Sequence, residues 1–259
     1  MDPDAPGRGV QALGPGGRWR GAFEARIGAG FDGRMVLEIG CADGALLAAA
    51  AERHPGGGFV GVDWKRSAIA EGVGRFGHLA NLVLVEGRGQ EVLASVGEGE
   101  LAELWVFHPE PCDKPKELKN RLVCESFLLE AHRALRAGGV VAVKTDHRGY
   151  FEWVLGLVGA AAVPAAPVGT ATVTPPGAGV PRRTPIRKES ASGRAGAPAP
   201  SAAVMQRFEV TACSVDFWGD ATAQDRTRGR LFAGEASGYE RAFLRRKRPV
   251  YFVEVRRRG

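Results

Sequence analysis

Residues 106–115 read VFHPEPCDKP and bring five reactive side chains together: His108, Glu110, Cys112, Asp113 and Lys114, with prolines at 109, 111 and 115. Proline fixes its own φ, so a carboxylate between two prolines is held in place, suited to accept hydrogen bonds at one defined point. His108 and Cys112 stand four residues apart, as metal ligands sometimes do. No second pair with ligand spacing accompanies them, so no zinc or other metal site is expected. Trp105 and Phe107 belong to the apolar run before the segment and read as core.

The elements that must position this segment alternate along the first part of the chain. Apolar runs at 35–40 (MVLEIG), 58–63 (GFVGVD), 81–86 (NLVLVE), 101–108 (LAELWVFH) and 140–146 (VVAVKTD) read as buried strands. Helical periodicity fills the intervals at 45–54, 65–78, 90–96 and from 122 to a stop at Gly138 and Gly139, and a further helix spans 150–158. This rhythm predicts an α/β fold with a parallel sheet. Two later strand-like runs, 206–218 and 248–258, are expected to pair antiparallel at the edge. The fold class is therefore a doubly wound, mostly parallel seven-stranded sheet with an antiparallel C-terminal strand pair, Rossmann-like. Residues 1–30 read as a flexible N-terminal segment, 31–159 as a cofactor-binding core, 160–204 as a low-complexity disordered insertion rich in Ala, Pro and Gly, and 205–259 as the strands that complete the sheet and the substrate site.

In such sheets ligands bind beyond the carboxyl ends of the strands. After the first strand the chain reads Glu38-Ile39-Gly40-Cys41-Ala42-Asp43-Gly44, and the second strand ends on Asp63, placed for ribose hydroxyls. A dinucleotide pyrophosphate needs G-x-G-x-x-G, with a bare second glycine. Here Ala42 and Ala45 hold the second and third places, and Glu38 and Asp43 repel phosphate. The same acids suit a ligand carrying an ammonium and a sulfonium; S-adenosylmethionine is such a ligand.

Taken together, EIGCADG, GVD, FHPEPCDKPKELKNRLV, KTD and SGYE occur in an order and at spacings that resemble the bacterial tRNA (guanine-N7)-methyltransferases, which belong to the class I S-adenosylmethionine-dependent methyltransferases. The resemblance covers about residues 36–150 and 207–256. It implies that Glu38, Gly40, Asp63, Arg88 and Glu110 contact the cofactor, with Arg88 standing where an acid usually meets the adenine, and Glu86 or backbone groups as the alternative there. It implies Glu110 as the catalytic carboxylate, a glutamate where the family has aspartate. It assigns Lys114, Asp146, Ser237, Gly238, Tyr239 and Glu240 to the substrate, and Lys116, Lys119 and Arg121 to tRNA phosphates. Cys112 replaces the family's tryptophan, and His108 an aromatic or apolar residue.

Charge agrees with a polyanionic partner. Among 259 residues, 44% are hydrophobic and the formal net charge is +6, with basic runs concentrated in the last third. The start of the chain lacks a signal-peptide pattern, the four cysteines form no framework, and the apolar stretch near 155–180 is broken by prolines and glycines, so a cytoplasmic protein with no membrane span is expected. A monomer is the working expectation for its assembly. Two alternatives stay open beside methyl transfer to guanine N7 of tRNA: a related methyltransferase with a changed substrate, and a tRNA-binding protein that keeps the fold without the chemistry.

Overall fold

The computed structural model of the protein describes residues 19–160, 200–232 and 236–259. Within them a seven-stranded sheet is formed by β1 (Met35–Ile39), β2 (Gly58–Asp63), β3 (Leu82–Glu86), β4 (Leu101–Phe107), β5 (Leu135–Thr145), β6 (Phe208–Ser214) and β7 (Tyr251–Arg257), in the order β3-β2-β1-β4-β5-β7-β6. The first five strands run parallel, and β7 enters antiparallel between β5 and β6. The helices are α1 (Trp19–Ile27), α2 (Ala45–Arg53), α3 (Arg66–Phe76), α4 (Gly89–Ser95), α5 (Glu125–Ala134), α6 (Arg148–Leu157), α7 (Ala202–Arg207), α8 (Ala221–Arg226) and α9 (Gly238–Arg245).

The parallel strands are covered on both faces, which is why they read as unbroken apolar runs. Alternation along β1 sends Met35, Leu37 and Ile39 to one apolar cluster and Val36 to the other; along β4 it separates Leu104 and Val106 from Trp105 and Phe107. Ile39 pairs in register with Val62 of β2 and Val106 of β4, and Phe107 with Lys144 of β5. The carboxyl ends of β1, β2, β4 and β5 therefore finish level. The sheet order reverses between β1 and β4, and a crevice opens there.

Three boundaries differ from the sequence expectation. Within the stretch expected to be flexible, residues 19–27 form α1, whose Trp19 and Phe23 are fully buried in the core; two large aromatics on one short helix gain enough from burial to dock it. Helix α5 ends at Ala134, and β5 begins at Leu135, with Gly138 (φ +72°) inside its irregular start. The glycines thus shape a strand entry rather than stop a helix. Of the expected insertion, 161–199 lies outside the described residues, and its last residues open α7.

The loop after β1 is seated by close helix packing. A Cβ built on Gly72 of α3 would lie 2.2 Å from the Asp43 carbonyl oxygen and 2.7 Å from Leu84 Cδ1. Gly72→Ala is expected to lower the unfolding free energy by about 1–3 kcal/mol through overpacking, against a helix-propensity gain of about 1 kcal/mol. Urea unfolding measures the balance; an unchanged or raised midpoint would show that α3 does not press on this loop.

Candidate active site at the carboxyl ends of the strands

A cleft of about 1040 Å³ lies at the topological switch, lined among others by Ile39, Gly40, Asp63, Trp64, Arg88, His108, Glu110 and Cys112. It joins residues from the ends of β1, β2, β3 and β4, and so brings together Gly40, Asp63, Arg88 and Glu110 of the expected site.

Its floor is built by the turn after β1. Gly40 adopts φ +82°, and a Cβ there would meet no atom within 4 Å, so a side chain would stand in open cleft space. The turn is tied down from β2: Gly40 N–H donates to Val62 O (2.8 Å), and Ala42 N–H donates to Asp63 Oδ2 (3.0 Å). Asp63 Oδ1 accepts from Lys65 N–H (2.8 Å). A carboxylate has about four acceptor sites, which leaves Asp63 capacity for ligand hydroxyls. Asp43, by contrast, is turned away into an ion pair with Arg75 of α3 at 2.5 Å, so its charge is already answered within the protein. Glu86 is exposed and faces Arg66 at 3.6 Å. Glu86 is not among the residues lining the cleft, whereas residues 87–90 are.

Opposite stands the proline segment. His108 and Cys112 hold positive φ (+53° and +44°), each at a backbone cost of roughly 1–3 kcal/mol for a non-glycine residue. Two anchors hold the loop between them: His108 N–H donates to Lys144 O (2.7 Å), and Arg121 Nε–H donates to Pro111 O (2.8 Å). Glu110 lies exposed between these anchors, on the cleft wall.

Arg121 therefore occupies a different place from the phosphate contact expected of it. It is 4% exposed, donates also to Gly149 O, and its guanidinium packs over Trp153 at 4.9 Å and Tyr150 at 5.4 Å. Donors committed to carbonyls beneath the loop are out of reach of a phosphate. Lys114, Lys116 and Lys119 are exposed on the 3-10 turn that follows, Lys114 beside Glu117 at 3.3 Å.

The expected C-terminal motif forms the start of α9. Ser237 caps the helix: Glu240 N–H donates to Ser237 Oγ (3.1 Å) and Ser237 N–H to Glu240 Oε2 (2.8 Å), a capping box. Glu240 is fully buried, accepts from Trp218 Nε1–H (3.2 Å) and pairs with Lys144 Nζ at 3.0 Å. Gly238 opens the helix, and Tyr239 is 53% exposed. Burial pushes the Glu240 carboxyl up, but His108, Lys144 and the Ser237 N–H outweigh it and hold the pKa at about 2. Lys144, also fully buried, sits against Phe107, Phe217, Trp218 and Phe232 with ring centroids 4.7–5.2 Å away. Burial lowers its pKa, with Glu240 opposing.

Glu38 stands one residue before the cleft-lining pair Ile39 and Gly40, 4% exposed, with Oε2 unpartnered. Burial, and then the nearby Glu240, push its pKa up to about 8. Asp146, at the end of β5, reaches the site through His108, whose Nδ1 lies 3.7 Å from its Oδ1.

Sequence reasoning missed Trp64, Lys144 and the role of His108. Trp64 is 79% exposed on the cleft, and its place directly after Asp63 was the available signal. For Lys144 the signal was a lysine inside a strand otherwise buried on both faces. Among the described residues no group of three or more His, Cys, Asp or Glu side chains is arranged to hold a metal ion, and no helix is long and apolar enough to cross a membrane.

A sheet of this order, with a reversed seventh strand and a glycine turn after β1 at the switch point, defines the class I methyltransferase architecture. The chain belongs to the family described as "Putative methyltransferase", whose model matches residues 32–163. Relatives include the tRNA (guanine-N(7)-)-methyltransferase of Geobacillus kaustophilus, 28% identical over 54% of this chain and 62% of that protein. That of Magnetococcus marinus is 32% identical over 56% and 58% respectively. The chain thus spans less than two thirds of the length of either relative. Among solved structures, the antibiotic-resistance methyltransferase Kmr aligns over 92% of this chain and 93% of that one, with 16% identity and a TM-score of 0.48.

Arg121→Ala is expected to cost about 1–3 kcal/mol by removing a buried side chain that donates to the part-buried Pro111 and Gly149 carbonyls, whereas Lys116→Ala and Lys119→Ala stay within about 0.5 kcal/mol as surface substitutions. Chemical denaturation of the three variants checks this; equal effects would refute the inward role of Arg121.

Proposed function

We propose that the protein transfers the methyl group of S-adenosylmethionine to N7 of a guanine in tRNA. The observation that carries this reading is the single cleft in which Gly40 and Asp63, at the ends of β1 and β2, share walls with the proline-held Glu110 at the end of β4. The names of the related proteins support the substrate.

The residues present fit the cofactor. Glu38 has a buried oxygen with no partner in the protein, which an ammonium or sulfonium nearby would satisfy. The bare Gly40 leaves room for the methionine part, Asp63 has lone pairs for ribose hydroxyls, and Trp64 with the backbone at 87–90 offers an adenine surface. When bound, S-adenosylmethionine supplies a methyl group on a sulfonium, whose sulfur keeps the bonding electrons as the methyl leaves.

Guanine N7 carries an in-plane lone pair and no proton, so no residue has to act as a base. What the protein supplies is alignment, which can provide most of the acceleration. Glu110 accepts hydrogen bonds from guanine N1–H and the exocyclic amine, which selects guanine over adenine and offsets the positive charge arising on the methylated base. Fixed ends on the Glu110 loop keep that carboxylate from retreating into solvent. Asp146 and Tyr239 contribute from the far side, while Ser237, Gly238 and Glu240 hold Tyr239 through the helix cap. Lys114, Lys116 and Lys119 meet phosphates, which positions tRNA without reading sequence.

Incubation with labelled S-adenosylmethionine and unmodified tRNA, followed by reduction and aniline cleavage at 7-methylguanine, tests the reading. Labelled, cleavable tRNA is expected, with kcat/KM lowered about 100-fold or more in Glu110→Ala. Label without cleavage would mean another acceptor atom, and tRNA binding without any transfer would leave a binding protein on this fold.

The raised pKa of Glu38 gives cofactor binding a pH dependence. A cationic ligand favours the ionised carboxylate, so binding releases a proton and affinity rises with pH up to about 8, by at most about tenfold per unit. Calorimetry between pH 6 and 7.5, below the range near 7.7–8.0 where a free amino group titrates, is expected to show this rise in the wild type and a flat response in Glu38→Gln. A flat wild type would place the cofactor's cation elsewhere.

A further inference from the structure

Among the described residues, five buried polar side-chain atoms lack a hydrogen-bond partner: Glu38 Oε2, His108 Nδ1 and Nε2, Lys144 Nζ and Arg257 Nε. Four of the five belong to one cluster where β1, β4, β5 and α9 meet. Its centre is His108, whose side chain is 8% exposed. One ring nitrogen, Nδ1, stands 3.7 Å from Asp146 Oδ1, and the other, Nε2, stands 4.0 Å from Glu240 Oε1.

A neutral imidazole has one N–H and one bare lone pair. Between two carboxylates the bare nitrogen would point its lone pair at a negative oxygen; only the imidazolium presents a donor to both. The ring cannot turn aside easily. Its backbone is held at φ +53° by the bond to Lys144 O, and the ring meets Tyr239 edge-on at 4.8 Å and stacks on Phe243 at 6.0 Å. One side chain thus touches the acid at the end of β5 and the exposed tyrosine of α9, while lining the cleft itself.

We propose that His108 is a positioning residue: its imidazolium clamps Asp146 and the start of α9 together, setting Tyr239 and Asp146 where the acceptor base must dock. The proposal rests on the methyl-transfer reading above. The groups facing the ring are Asp146 from the end of β5, Glu240 and Tyr239 from α9, and, behind Glu240, Lys144 of β5 and Glu38 of β1. Arg248, beyond α9, also bears on Asp146. Burial disfavours the charged ring, but Asp146 and Glu240 together outweigh it and raise its pKa. The clamp is therefore closed below that pKa and released as pH rises through it.

Two measurements test this. In the NMR titration, the His108 signal, assigned by its loss in His108→Asn, is expected to titrate above the ordinary histidine value of about 6.5 and to fall in Asp146→Asn. Asparagine tolerates positive φ, so His108→Asn keeps the turn. In the transfer assay, the wild type is expected to show KM for tRNA rising at alkaline pH, and His108→Asn to raise KM about tenfold near neutral pH, to change kcat less than about threefold and to abolish that alkaline rise. A ring that stays neutral at pH 6, or an unchanged KM and pH profile, overturns the proposal. A fall in kcat with KM unchanged overturns it too, by placing His108 in the chemistry. If the wild type transfers no methyl group, the titration still decides whether the clamp exists, and the failure falls on the activity alone.

Discussion

The ion pair between Lys144 and Glu240 joins the middle of the sheet to a helix near the end of the chain, and the geometry of the site depends on it. Both side chains are fully buried. Taking two such charges out of water costs several kcal/mol per ion, and their attraction offsets this only when other groups complete the arrangement. Here the aromatic faces of Phe107, Phe217, Trp218 and Phe232 surround the ammonium, and Trp218 and the Ser237 backbone serve the carboxylate. The contact between Lys144 and Glu240 is an ion pair rather than an aligned hydrogen bond, so the cage and the cap carry part of the load. This pair, the burial of Phe243 and the contacts of its ring and that of Tyr239 with His108 together seat α9 at the carboxyl end of β5.

One end of the loop that carries Glu110 starts beside that junction, while the turn after β1 is tied separately to β2. The Lys144 backbone carbonyl holds His108, and His108 begins the loop that presents Glu110. The other end of the loop hangs from Arg121, which rests on Tyr150 and Trp153 of α6. A loop of three prolines and two residues with positive φ would not choose this shape alone; the sheet edge and α6 impose it. Strain of this kind is typical where a side chain must be aimed at a ligand.

Charge balance in the cluster follows the same logic. Lys144 pairs with Glu240, His108 stands between Glu240 and Asp146, and the buried Glu38 has Lys144 as a distant offset but no partner for its Oε2. Burial, and then the nearby Glu240, outweigh Lys144 and push the Glu38 pKa up to about 8. An acid kept partly neutral by burial, beside a glycine that leaves open space, is suited to a cationic group that arrives from outside.

How much of this could be read from the sequence varied with the range of the interaction. The parallel strands were legible because strands covered on both faces must be apolar throughout, and the antiparallel pair because two strand-like runs, 206–218 and 248–258, follow the alternating part of the chain. Gly40 and Asp63 could be picked out because they stand at strand ends, which lie side by side in a doubly wound sheet, and Glu110 because its proline segment resembles a family motif. Spacing could not say that Arg121 points inward while Lys116 and Lys119 point out, nor that Trp19 and Phe23 dock a helix within a segment that reads as polar and glycine-rich. It could not pair Lys144 with Glu240, or place His108 between two acids. The sequence by itself determined the order of elements and which residues stand at their ends, since those depend on local periodicity and turn chemistry. Only the tertiary structure decided which charges are buried and which face the cleft, because burial and counter-charge are set by residues far apart in the chain.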